Sequence, residues 1–180
     1  MTVASVGPTL AEYSDAVVRI GDRIQGKRGL ELLQEVKRAP TGTGPYPNVT
    51  LFEAANRVMT DLVILNGVKW LLEESVFPFS EYRVEYGNEN SSAHDVMAEN
   101  EDERLVGEAF NVAPSFFQGK KAAMLRKLRS PENREKLKLI LANADAVGES
   151  YRPKLIRHEH MVLVDVFTGR AMMWPGDARR

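Results

Sequence analysis

The sequence predicts a mixed α/β domain, with both α/β and α+β character, in which helices flank a central mixed β-sheet. Apolar residues recur at helical spacing over 9–38 and 50–74. Short apolar segments separated by polar turns follow between 82 and 112. A further helical segment and two apolar runs complete the chain. This order is typical of one domain with helices packed on a sheet, and 180 residues suffice for one core.

The helices have recognisable boundaries. The spacing predicts a helix over 9–38 with a break at Gly26–Gly29, followed by a Pro- and Gly-rich loop. Thr50 and Glu53 have the spacing of a capping box, which predicts the start of a helix that ends near Glu74. A third helix is expected from Ser115, directly after Pro114.

The strands are predicted from alternation and turn residues. A first strand is expected near 82–86, a second over 94–100 and a third over 104–112, with residues 101–103 at a hairpin tip. The apolar run 136–144 is interpreted as a strand, although a helix also fits it. Residues 160–169 are predicted as a strand, and the tail 171–180 has no assignment. Residues 1–180 are thus expected to form a single domain with a helical extension (1–45), a core (50–145) and a C-terminal strand and tail (146–180).

Composition limits the class of protein. The chain has no cysteine, which excludes disulfides and thiolate chemistry and favours the cytoplasm. The first fifteen residues carry Glu12 and Asp15 and lack the basic start of a signal peptide. No apolar run approaches the roughly 18 residues of a membrane helix, so no membrane partner is expected.

Charge is unevenly distributed along the chain. Residues 99–108 contain five acids and one base, and residues 119–138 contain eight bases and two acids. An acidic segment followed by a basic one suits a site that holds a cation and a polyanion together. Two solvated surfaces of opposite sign would produce the same pattern.

The predicted hairpin brings two acids together. Alternation places Asp95 on one face of its strand and Glu108 on one face of the next. If the strands pair through the 101–103 turn, the two carboxylates can lie near each other on the same side, because adjacent strands are about 4.8 Å apart. Oxygen ligands at this distance suit one Mg²⁺ or Mn²⁺ ion, which would activate a water and polarise a phosphate.

The order of elements and the Asp95…Glu108-Ala109-Phe110 spacing resemble the PD-(D/E)xK nuclease superfamily, over roughly residues 50–145. The resemblance implies a restriction-endonuclease-like core and a Mg²⁺-dependent endonuclease that hydrolyses DNA, such as a type II restriction endonuclease. Asp95 and Glu108 would be the metal ligands. Glu53 matches the position of a helix glutamate that often joins the site in this family.

Two positions depart from the pattern of the family. Ala93 and His94 precede Asp95, where the family has proline, and Phe110 stands where the family has its lysine. Some members carry that lysine on the following helix, which makes Lys120 and Lys121 the candidates. The sequence leaves the choice between these two lysines open.

The resemblance also implies partners. The bases at the nuclease-like core that would contact DNA phosphates are Lys120, Lys121, Arg126, Lys127 and Arg129. Cutting both strands of a duplex usually takes two active sites, so a homodimer is expected, with the N-terminal helical segment as a plausible contact. The alternative is a catalytically inactive module of the same fold that binds nucleic acid or protein, which Phe110 favours.

Overall fold

A computed structural model describes residues 1–87 and 92–174. The prediction of a mixed α/β domain with a central mixed sheet flanked by helices is confirmed. The helices are α1 (Val3–Ile24), α2 (Gly29–Arg38), α3 (Leu51–Glu73) and α4 (Pro114–Leu128). The strands are β1 (Arg83–Val84), β2 (Val96–Glu99), β3 (Arg104–Phe110), β4 (Leu137–Asn143), β5 (Glu159–Val164) and β6 (Ala171–Trp174).

The six strands form one sheet in the order β1-β2-β3-β4-β5-β6. Strands β1, β2 and β3 are an antiparallel meander, β3, β4 and β5 are parallel, and β6 pairs antiparallel with β5. The run 136–144 is therefore a strand, and α4 is the crossover that parallel pairing of β3 with β4 requires. Strand β6 was not expected, and the last six residues of the unassigned tail lie outside the described residues.

Helix α3 is the central helix of the fold. It packs on one face of the sheet, where Val63, Ile64 and Val68 join the core residues of β3, β4 and β5. Its opposite side packs under α1, where Leu65 joins a second apolar cluster. A helix that is buried on two sides has apolar residues around most of its circumference, and the sequence of α3 shows this pattern. Among the described residues, no helix combines the length and apolarity needed to span a bilayer.

Close packing explains one glycine of α3. A Cβ atom at Gly67 would lie 3.0 Å from a methyl group of Leu141 on β4, tighter than ordinary contacts. Glycine therefore lets the helix approach the sheet at this point.

The second face of the sheet is covered by α4. Phe117, Leu125 and Leu128 of this helix pack against Phe110 and Ile140 of the sheet. Because side chains alternate along a strand, Glu108 shares the α4 face with Phe110. This face holds the acidic pair described below.

The N-terminal segment is divided where the sequence predicted. The expected break at Gly26–Gly29 separates α1 from α2, and both glycines have positive φ. Helix α1 begins earlier than predicted, at Val3.

A buried polar cluster joins this segment to the rest of the molecule. Oδ2 of Asp61, on α3, accepts hydrogen bonds from the Tyr13 hydroxyl (2.7 Å), the Tyr46 hydroxyl (2.6 Å) and the backbone N–H of Gly87 (3.1 Å). Burial raises the pKa of Asp61 above its ordinary value, and these three hydrogen bonds partly oppose that rise. One carboxylate thus connects α1, the 39–50 loop, α3 and the end of the β1 segment.

Candidate active site

Asp95 and Glu108 face each other across the β2–β3 hairpin. Val96 pairs with Gly107, so the next step of the antiparallel register sets Asp95 opposite Glu108. Directly opposed residues of an antiparallel pair project to the same face. Both carboxylates therefore lie on the α4 face of the sheet, the juxtaposition expected from the sequence.

Asp95 is anchored through one of its oxygens. Its Oδ2 atom accepts a hydrogen bond of 2.8 Å from the backbone N–H of Ala109. Burial raises the pKa of Asp95, and the neighbouring Glu108 raises it further, against the Ala109 hydrogen bond and the charges of Lys127 and Lys120. Among the described residues, Oδ1 of Asp95 has no hydrogen-bond partner. The second oxygen is therefore free to bind a cation.

Glu108 is almost fully buried, at 3% exposed, and its carboxylate contacts two neighbouring side chains. His94 Nδ1 lies 2.7 Å from its Oε1 atom. The Lys127 ammonium, from the last turn of α4, lies 2.8 Å from Oε2 and 2.7 Å from Oε1. A buried carboxylate needs such partners because removing the ion from water is costly. The side chain of Lys127 is 46% exposed, so this partner reaches the site from solvent.

His94 is held in turn by Asn133. Asn133, in a short 3-10 helix after α4, is completely buried, and its Nδ2 atom lies 3.3 Å from Nε2 of His94. Nδ2 also donates to the Ser130 hydroxyl at 3.1 Å, and Oδ1 accepts from the Lys136 ammonium at 2.9 Å. Neither His94 nor Asn133 was predicted as a site residue. The adjacency of His94 to Asp95 was a usable signal, whereas nothing in the sequence marks Asn133.

Glu53 lies apart from this cluster. It occupies the first turn of α3, where its backbone N–H donates to Oγ1 of Thr50 at 3.3 Å and its carboxylate pairs with Arg57. Helix α3 packs on the face of the sheet opposite to the acidic pair. The structure thus gives Glu53 a helix-capping environment and an ion-pair partner, and does not bring it to Asp95.

The two lysines predicted as catalytic candidates have different surroundings. Lys121 donates a 2.9 Å hydrogen bond to the Tyr151 hydroxyl and, among the described residues, forms no hydrogen bond or ion pair with Asp95 or Glu108. Lys120 is exposed and lowers the pKa of Asp95 through its charge, without a hydrogen bond to it. The lysine that contacts the acidic pair is Lys127, which the sequence suggested only as a phosphate contact.

The predicted basic surface of α4 is only partly free. Arg129 donates two hydrogen bonds, of 2.7 and 3.0 Å, to the carboxylate of the buried Glu159 at the start of β5. Arg126 is exposed on the last turn of the helix. Arg129 therefore has a structural partner, and Arg126 remains accessible to a ligand.

Phe110 belongs to the core. It is 1% exposed and meets Phe117 edge-on, with ring centroids 5.6 Å apart. A lysine at this position would bury its charge against apolar side chains. Position 110 therefore belongs to the apolar core and offers no site for a charged side chain.

The donor set suits a hard cation. No group of three or more His, Cys, Asp or Glu side chains in residues 1–87 and 92–174 is arranged to hold a metal ion. Mg²⁺ is commonly bound through one or two carboxylates, with water and substrate oxygens completing the octahedron. Asp95 and Glu108 satisfy that requirement, provided that the Lys127 ammonium moves off one oxygen of Glu108.

The fold and the site together define a mixed α/β domain with a buried Glu108, a half-buried Asp95 and a lysine on one face of its sheet. No protein-family model, curated protein or solved structure matches the chain.

Proposed function

We propose that this protein is a Mg²⁺-dependent endonuclease that hydrolyses phosphodiester bonds of DNA, with a restriction-endonuclease-like core. The observation that carries the proposal is the meeting of Asp95, Glu108 and Lys127 on one face of the sheet. Two carboxylates and an ammonium from three different elements form the combination that metal-assisted phosphoryl transfer uses.

The topology supports the same proposal. Helix α3, the β1–β2–β3 meander, the α4 crossover and the parallel β4 follow the order of the core that the sequence resembles. In that core the acids lie on the second and third strands, and here Asp95 directly precedes β2 and Glu108 lies on β3. Lys127 on α4 takes the role of the motif lysine, for which the sequence offered Lys120 and Lys121.

Each residue has a definite role in the proposed reaction. Oδ1 of Asp95 and an oxygen of Glu108 would hold the cation, and the chemistry it would supply is polarisation of the phosphate and a lower pKa of water. The Lys127 ammonium would move from Glu108 toward the attacking water or the phosphate oxygen, because its side chain is 46% exposed to solvent. Lys120 lies near Asp95, and Arg126 is exposed on the same helix, so both are suited to phosphate contacts.

A plasmid cleavage assay tests the proposal. Purified protein is incubated with supercoiled DNA and Mg²⁺ or Mn²⁺, beside Asp95→Asn and Glu108→Gln variants. Glu99→Gln is the matched control, because Glu99 ends β2, the strand that Asp95 directly precedes, and its side chain is 75% exposed. We expect cleavage by the wild type and by Glu99→Gln, and loss of cleavage in the two site variants. Cleavage that survives both site substitutions would overturn the proposal.

A catalytically inactive module that binds nucleic acid or protein is the second candidate. The observation that favours it is the burial of Phe110, together with the ion pair that occupies Lys127. Salt-sensitive DNA binding without cleavage at any tested concentration of Mg²⁺ or Mn²⁺ would support the module.

Two further parts of the proposal concern assembly and location. Duplex cleavage calls for two active sites, so we expect a homodimer, which light scattering on the purified protein measures directly. The chain lacks cysteine, which suits a reducing cytoplasm. Fluorescence of a tagged chain expressed in its host tests the location.

A further inference from the structure

We propose that His94 is a positioning residue that fixes the Glu108 carboxylate, and that Asn133 and Lys136 select the tautomer in which it does so. The inference deepens the proposed function, because it concerns the carboxylate that would hold the cation. It rests on a chain of four side chains that runs from the sheet to the segment before β4.

The chain begins at the amide of Asn133, whose orientation is determined by its neighbours. The Lys136 ammonium can only donate, so it requires the amide oxygen of Asn133, 2.9 Å away. The amide nitrogen then faces the Ser130 hydroxyl at 3.1 Å and His94 Nε2 at 3.3 Å. A flipped amide would point its two hydrogens at the Lys136 ammonium, which has no lone pair to accept a hydrogen bond. Because Asn133 is completely buried, water does not offer substitute partners.

The orientation of the amide determines the imidazole. An N–H of Asn133 directed at Nε2 requires a lone pair there, so the ring proton of neutral His94 lies on Nδ1. Nδ1–H then donates to Oε1 of Glu108, 2.7 Å away. The opposite tautomer would place two hydrogens between His94 and Asn133, and two lone pairs between His94 and Glu108.

The two partners of Glu108 therefore have different roles in the site. His94 is only 7% exposed, so its hydrogen bond to Glu108 is kept when a cation or substrate approaches from solvent. Lys127 is 46% exposed on its side chain and can leave. The histidine therefore holds the carboxylate in one orientation while the lysine exchanges with a cation. Carboxylate ligands of metals commonly depend on such supporting hydrogen bonds.

A tautomer measurement tests the inference without any metal. Long-range ¹H–¹⁵N correlation spectra of the uniformly labelled protein at mildly alkaline pH distinguish protonated Nδ1 from protonated Nε2. We expect His94 as the Nδ1–H tautomer, and a mixture of tautomers in Asn133→Leu. Protonation of His94 on Nε2 in the wild type would overturn the inference, whether or not the protein cleaves DNA.

Paired variants test the consequence for cation binding. In His94→Asn the side-chain amide nitrogen occupies roughly the place of Nδ1, whereas in His94→Gln it occupies roughly that of Nε2. Mn²⁺ binding, followed by the loss of its free electron paramagnetic resonance signal, should be near wild type in His94→Asn. It should be about tenfold weaker in His94→Gln.

A matched control and the remaining outcome separate this inference from the proposed function. His160→Asn changes a histidine that contacts the Phe77 ring and should leave Mn²⁺ binding unchanged. Weaker binding in His94→Asn than in His94→Gln would refute the assigned tautomer. If wild-type protein binds no Mn²⁺ at all, the metal-dependent function fails, and the spectra of His94 still decide the positioning inference.

Discussion

The ammonium of Lys127 lies 2.8 Å from the carboxylate of Glu108, although the two residues are 19 positions apart in the chain. The contact exists because α4 runs back along the sheet after β3 and brings its last turn to the acidic pair. It makes Lys127 the amine of the candidate active site, and it leads to the first prediction.

Replacing Lys127 by methionine should lower the rate of plasmid cleavage by about 100-fold or more, because a charge that stabilises the reacting phosphate is lost. The same substitution at Lys121, which donates to Tyr151, is the control and should leave the rate within a few fold. Single-turnover cleavage with excess enzyme measures both. A larger loss in Lys121→Met than in Lys127→Met would return the catalytic role to Lys121.

Phe110→Lys places a lysine at the motif position, and it should destabilise the protein without increasing DNA cleavage. The side chain is 1% exposed and packs on Phe117, so the substitution loses apolar burial and buries an ammonium. We expect the free energy of unfolding to fall by about 3–5 kcal/mol or more.

Phe116→Lys supplies the control for that substitution. The side chain of Phe116, in the first turn of α4, is 69% exposed. The free energy of unfolding should therefore change by no more than about 0.5 kcal/mol. Urea unfolding at neutral pH measures both variants. Equal stability of the two would mean that position 110 is not part of the core.

Glu159 should contribute to the pH dependence of stability. Burial acts to raise the pKa of Glu159, but hydrogen bonds from Arg129 and the Ile156 N–H, with the charges of Arg129 and Lys138, outweigh it and hold the pKa below its ordinary value. A carboxyl whose pKa is lower in the folded state stabilises the protein above its unfolded pKa of about 4.3. That stabilisation is lost as the pH falls through the folded pKa.

Glu159→Gln should therefore flatten the acid limb of a plot of unfolding free energy against pH. Denaturant unfolding from neutral pH down to the acid transition provides the plot. Glu149→Gln, at an exposed position, should leave the slope unchanged. An acid limb as steep in Glu159→Gln as in the wild type would contradict the role of the Arg129 pair.

Two buried tyrosines should respond in opposite ways to loss of the hydroxyl. The Tyr82 hydroxyl is buried without a hydrogen-bond partner among the described residues, so Tyr82→Phe should be neutral or raise the melting temperature. The Tyr13 hydroxyl donates to Asp61, and Tyr13→Phe should cost about 1–3 kcal/mol. Thermal unfolding of the two variants side by side measures the difference, and a greater loss in Tyr82→Phe would be inconsistent with the assigned contacts.

The sequence predicts what depends on local pattern. Alternation and turn residues located β2, β3 and β5, and the Thr50 capping box located the start of α3. The facing of Asp95 and Glu108 followed because a hairpin with a short tip fixes which residues oppose each other. Strand β6 was missed because its four residues, Ala171–Trp174, are all apolar and show no alternation that would indicate a strand.

The remainder of the site depends on contacts between distant elements. Lys127 meets Glu108 only because of the path of α4, and Asn133 meets His94 only because the segment after that helix folds under the hairpin. No spacing rule connects residues 94 and 133. Lys120 and Lys121 became candidates through the resemblance, because some members of that family carry the lysine on the following helix. In the structure the path of α4 brings Lys127, not these two residues, into contact with Glu108.

The carboxylate of Asp61 has a consequence for shortened forms of the protein. Tyr13 and Tyr46 both donate to the oxygen that also holds Gly87, three residues after β1. Deleting residues 1–45 would remove Tyr13 and the whole of α1, expose the apolar side of α3, and leave that oxygen with fewer donors. The helices before residue 45 are thus an integral part of the folded unit, and a truncated core would not be a smaller version of the same protein.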